Sequence, residues 1–298
     1  MSLRPSFLPL AVAIASFGVP TPAFAECRLT IEPAQDDWAV RYDPYAQDVA
    51  IRQFDVAFYN GGDTPCEGTV SADLQGEQYG LSKIGGGERI AYALTDERNG
   101  TDITPLAGSG MRRPQDRPVS IAPGERLLIR FSFMPDTFSN MSAGNYVQNI
   151  LLAVEDAFGA AIGQRPIVLS FDVVPTALIG LKGRFQRSGG AASIDLGELT
   201  PGQKSLGTSL YVLSTSGYRV TMSSQNAGRL RLGQSDWYVD YSLGLDNEQY
   251  DLSAASVLAQ PSQSARADDY DLDVVIGDVA GRRAGAYSDT IVFTVAAM

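Results

Sequence analysis

Along most of this chain, apolar and polar residues alternate in short runs separated by Gly, Pro, Asn and Asp. Phe54, Val56 and Phe58 share one parity, with Gln53, Asp55 and Ala57 on the other. Tyr218, Val220 and Met222 alternate with Arg219, Thr221 and Ser223. Trp237, Val239, Tyr241 and Leu243 alternate with Tyr238, Asp240 and Ser242, and Tyr270, Leu272, Val274 and Ile276 with Asp269, Asp271 and Asp273. A period of two residues is that of a strand with one apolar face. Further runs at 28–31, 38–42, 68–74, 90–94, 126–133, 146–154, 166–174, 178–185, 194–199, 209–213 and 229–232 read the same way. No convincing amphipathic helix of any length breaks the series. Short strands at this spacing predict an all-β sandwich or barrel.

One pattern occurs twice. Ala143-Gly144-Asn145-Tyr146 leads into an apolar strand with Ile150, and Ala284-Gly285-Ala286-Tyr287 leads into one with Ile291. The repeat suggests two copies of one sandwich. After the first copy the chain turns at 155–164 and makes one more strand, 167–174. After the second, the sequence ends shortly beyond Val295. In that last strand Tyr287, Ile291, Phe293 and Val295 share one parity, and Ser288, Thr290 and Thr294 the other. An open edge this apolar invites pairing, so the expectation is that an earlier strand or another protein covers it.

The length of 298 residues allows two domains, divided near residue 175. A net charge of −11 without basic runs argues against nucleic acid and against electrostatic binding to anionic lipid. The chain has no histidine, which removes Ser-His-Asp and Cys-His catalysis and histidine-ligated metals. A hydrolase built on two carboxylates needs no histidine, but 34 acidic residues single out no pair. No cofactor is expected.

Residues 1–25 carry Arg4, an apolar run from Phe7 to Val19 and Ala23-Phe24-Ala25, the regions of a secretory signal peptide. No later stretch is apolar enough to cross a bilayer. Export to an oxidising compartment makes a Cys27–Cys66 disulfide the natural pairing, tying the first strand to the turn after Tyr59. The run Asp268-Asp269-Tyr270-Asp271-Leu272-Asp273 reads as the solvated face of a strand rather than a calcium site. Trp38 and Trp237 read as core or sheet-face residues rather than sugar platforms.

Residues 180–298 resemble a spore-coat-U-type domain, the module of archaic (Csu-type) chaperone–usher pili. The resemblance lies in residues 194–202 (IDLGELTPG), 217–230 (GYRVTMSSQNAGRL) and 284–295 (AGAYSDTIVFTV). In the first half it is limited to Cys27 and Tyr42-Asp43-Pro44. It implies two immunoglobulin-like β-sandwich domains, 26–175 and 176–298, the second lacking its last strand. It further implies that Tyr287, Ile291, Phe293 and Val295 line a groove for an added strand. The strand would come first from a periplasmic pilus chaperone, then from a neighbouring pilin subunit after passage through an outer-membrane usher. With Cys27 so near the new N-terminus there is no room for a donor strand, which fits a tip subunit whose first domain adheres. Phe138 and Met141 in the loop 134–141, and Phe158 in a later hairpin, are candidate adhesive residues; capping the core is the competing reading for all three. A secreted, self-complete two-domain sandwich, such as a matrix or carbohydrate-binding protein, is the alternative for the whole chain.

Overall fold

In a computed structural model, residues 26–106, 118–138 and 140–298 are described. The signal-peptide segment 1–25 lies outside them. They form an all-β protein with no helix among the described residues.

The first twelve strands are β1 (Leu29–Pro33), β2 (Asp37–Tyr42), β3 (Arg52–Asn60), β4 (Cys66–Asp73), β5 (Leu81–Lys83), β6 (Arg89–Ile90), β7 (Tyr92–Asp96), β8 (Thr101–Asp102), β9 (Val119–Ile121), β10 (Arg126–Pro135), β11 (Gly144–Glu155) and β12 (Ala161–Val173). One sheet runs β1-β3-β10-β7-β8, and the other β2-β12-β11-β4-β9, with β5 and β6 beside it. Their apolar faces meet in one core. Trp38 of β2 stacks on Phe54 of β3 at 5.0 Å and on Phe131 of β10 at 5.7 Å, joining the two sheets. Cys27 and Cys66 form the expected disulfide, with a Cα–Cα distance of 5.1 Å. Closing a loop of this length contributes about 3–4 kcal/mol by restricting the unfolded chain.

The remaining strands are β13 (Ala177–Gly183), β14 (Gln186–Ser188), β15 (Ala191–Ser193), β16 (Gly202–Ser214), β17 (Tyr218–Ser224), β18 (Arg229–Leu232), β19 (Tyr238–Leu245), β20 (Glu248–Tyr250), β21 (Ser256–Gln260), β22 (Arg266–Ile276), β23 (Tyr287–Ser288) and β24 (Ile291–Ala297). A sheet β13-β16-β22-β19-β18-β23 faces a three-stranded sheet β21-β17-β24 across a second, separate core. β14 and β15 form an exposed hairpin of their own.

Three sequence expectations change. Residues 194–199 are not a strand: the Asp195 carboxylate accepts the Gly197 amide at 2.8 Å, and Gly197 sits at φ 62°, an Asx turn that competes with extended backbone. Asp273 is buried at the centre of its sheet, where Gln249 replaces water by donating at 3.1 Å. Its neighbours keep the solvated role, with Asp269 paired to Lys182 and Asp271 accepting from Ser209. Finally, Trp38 is fully buried, whereas Trp237 lies just before β19 and is 40% exposed.

Candidate functional site

The two copies of the A-G-x-Y pattern have the same geometry. The Tyr146 hydroxyl donates to the Ser142 carbonyl at 2.8 Å, and the Tyr287 hydroxyl to the Arg283 carbonyl at 2.8 Å. Gly144 and Gly285 take φ of 145° and 151°, where a side chain would be strained. A Cβ on Gly285 would lie 2.5 Å from Leu232 Cδ1. Each corner therefore launches a strand of equivalent position, β11 in the first sandwich and β23–β24 in the second.

What lies beside those strands differs. β11 is paired along both edges, by β12 on one side and by β4 and β5 on the other, and β12 is in turn covered by β2 in parallel. β24 pairs with β17, from Ile291 opposite Ser224 to Ala297 opposite Tyr218. Its other edge meets no strand among the described residues. β13 approaches from the facing sheet without forming a ladder to it, and among the described residues β13 too has one unpaired edge.

Burial follows the pairing. Among the described residues of the first sandwich, thirty apolar side chains are buried in the core and six are half-buried against it. In the second, sixteen are buried and twelve half-buried. Those twelve include Ala177, Ile179 and Leu181 on β13 and Tyr287, Ile291, Phe293 and Val295 around β24. Val292, Thr294 and Ala296 on the opposite parity are exposed. The result is two unpaired strand edges bordered by apolar side chains that have lost only part of their water. Completing their burial contributes on the order of 1 kcal/mol per side chain. A strand inserted here would also satisfy the open backbone edge of β24.

At the mouth of the corner, Asp289 accepts from Tyr241 at 2.7 Å and from the Asn226 amide at 3.0 Å, and Ser224 also donates to it. Burial pushes the Tyr241 hydroxyl pKa upward, with the Asp289 contact adding to the effect. The Tyr241 hydroxyl therefore stays protonated and holds the approach to β24 in place.

The candidate adhesive residues do not come together. Met141 is fully buried in the first core, so it is withdrawn as a contact residue. Its loop, moreover, lies at the end facing the second sandwich. The adjoining Ala143 amide donates to the Thr215 carbonyl at 2.7 Å, and Ser142 Oγ accepts from the Ala265 amide at 3.2 Å. Phe138 shares that loop and is 47% exposed. Phe158 sits at the other end of β11, ~36 Å of strand away, and is 96% exposed. Its turn is rigid, because the Asp156 carboxylate accepts the amides of Phe158 and Ala160 at 2.9 and 2.8 Å. The same end carries the disulfide and the loop after β3, where buried Asn60 donates to the Thr64 and Ile121 carbonyls.

No acidic or cysteine cluster with metal-binding geometry occurs among the described residues, and no described helix is long and apolar enough to span a membrane. No protein-family model and no curated protein matches the sequence. Among solved structures, the chain is similar to the CsuC–CsuE chaperone–tip adhesion subunit pre-assembly complex from the archaic chaperone–usher Csu pili of Acinetobacter baumannii. That match has 14% identity over 91% of this chain and 100% of the other, with a TM-score of 0.47. It is also similar to the CupB6 tip adhesin of Pseudomonas aeruginosa, with 8% identity, 90% and 95% covered, and a TM-score of 0.38. The CooA pilin subunit of enterotoxigenic Escherichia coli matches half of it, with 11% identity, 50% and 99% covered, and a TM-score of 0.34. The reading of this site rests on the unpaired edge of β24 and the half-buried side chains beside it.

Proposed function

We propose that this chain is a non-enzymatic subunit of a chaperone–usher pilus, positioned at the fibre tip, whose first sandwich (26–175) attaches to a surface and whose second (176–298) accepts a strand from another protein. The observation that carries this is the contrast between equivalent strands: β11 is covered on both edges, while β24 presents an unpaired edge above half-buried Ile291, Phe293 and Val295. An edge of this kind is an aggregation hazard unless something fills it. A periplasmic chaperone would supply the strand before assembly at an outer-membrane usher, and a neighbouring pilin would supply it in the fibre. The protein would thus pass through the periplasm to the cell surface and contribute to attachment or biofilm formation there.

The test is periplasmic production of residues 26–298 with and without a pilus chaperone, followed by limited proteolysis. The expected result is a resistant fragment ending near residue 175 without chaperone, and an intact chain with it. A full-length chain that resists protease alone and stays monomeric would overturn the reading in favour of a self-complete secreted sandwich.

A further inference from the structure

The first sandwich contains a worked example of the missing joint. β12, which completes the first core, is the segment that immediately precedes the second sandwich. It runs antiparallel to β11 and ends with Val173 opposite Gly144, beside the tyrosine corner. After three intervening residues the chain has become β13. The second sandwich therefore stands to the first as a unit whose leading strand fills its neighbour.

The corner then grips that unit. The Ala143 amide donates to the Thr215 carbonyl, and Thr215 is locked to the connecting segment by further bonds. Its amide donates to the Thr176 carbonyl at 3.0 Å, its hydroxyl to the Val174 carbonyl at 3.1 Å, and its Oγ accepts the Thr176 amide at 2.9 Å. Ser142 Oγ takes the Ala265 amide, and Lys83 Nζ reaches the Gln263 carbonyl at 3.3 Å. Most of these contacts are made by backbone groups, so they depend on the shape of the corner more than on its sequence.

The second corner has that shape, from the tyrosine bond to the glycine φ, but residues 281–286 are all exposed. Arg282 and Arg283 stand there, and among the described residues neither guanidinium is in an ion pair, in a chain of net charge −11. We infer that the corner at residues 282–285 is the docking surface for the body of the next subunit, a β-sandwich like this chain's second one. Its leading strand lies antiparallel along β24 and passes within about three residues into its own first strand. The Ala284 amide takes the place of Ala143, donating to a loop carbonyl of that subunit, and the two arginines meet acidic groups on it. This rests on the strand-accepting reading above and adds a second surface to it.

The experiment places a photo-reactive benzophenone amino acid at Ala296, on the exposed parity of β24, or at Arg283, on the corner, in the full chain within cells that assemble it. Cross-linked peptides are mapped by mass spectrometry. The expected result is one subunit captured from both positions. The Arg283 product should map to residues that follow the strand captured at Ala296 or to the loop bonded to them, and should be lost when Arg282→Glu is combined with the label. Capture of a strand at Ala296 with nothing, or a different protein, at Arg283 overturns the docking surface and leaves strand acceptance standing. Capture of a segment of the same chain at Ala296, or of nothing, overturns both.

Discussion

At the scale of single residues, the two tyrosine corners show how one hydrogen bond is given different weight by its surroundings. Tyr146 is fully buried, and its hydroxyl lies 2.8 Å from both the Ser142 carbonyl and a Glu88 carboxylate oxygen. Among the described residues the Tyr287 hydroxyl makes only the equivalent carbonyl bond, and Tyr287 is half-buried. Tyr146→Phe leaves an acceptor in a site closed to water and should cost about 1–3 kcal/mol, whereas Tyr287→Phe should cost about 1 kcal/mol or less. Urea denaturation of each variant measures the difference, and equal costs would mean the corners are not distinguished by burial. The pattern A-G-x-Y was legible in the sequence; the need for glycine shows only in the backbone, at φ 145° and 151°. That one corner is locked inside a joint while the other faces solvent was not legible, because both have the same four-residue pattern.

At the scale of elements, β24 and β11 test what an edge is worth. Both are apolar on one face and were readable as strands from alternation alone. β11 has ladders on both sides and its core side chains are buried, while β24 has one ladder and an apolar face that is half-buried. In hydrogen exchange of the chaperone-free chain, amides of β24 directed at the open edge should lose protection orders of magnitude faster than the central amides of β11. Protection of β24 equal to that of β11 would mean a strand already covers it. Alternation also misled at this scale. It made a strand of residues 194–199, where the local Asp195–Gly197 bond wins, and it placed Asp273 on a solvated face that the centre of a sheet has closed.

At the scale of the whole molecule, the loop 134–141 and the Phe158 hairpin lie at opposite ends of the first sandwich. The joint is tied by Ser142, Ala143 and Thr215, so the loop carrying Phe138 leads directly into the contact between the sandwiches. Phe158 projects from a carboxylate-braced hairpin at the far end. Phe158→Ser should lower surface attachment several-fold with little change in stability, because a side chain this exposed contributes almost nothing to the core. Phe138→Ser should leave attachment near the native level. The reverse order in a surface-adhesion assay would place the contact face at the joint.

Sequence alone determined the strand class, the duplicated corner, the disulfide pair and the parity of Tyr287, Ile291, Phe293 and Val295. These follow from local spacing, backbone preference and redox chemistry. Tertiary structure alone decided that β12 completes the first sandwich, that Met141 is core, that the exposed β14–β15 hairpin forms, and that β24 is left with an unpaired edge. Those outcomes depend on which strands become neighbours across long stretches of chain, and a period of two residues records which face of a strand is apolar but not what lies beside it.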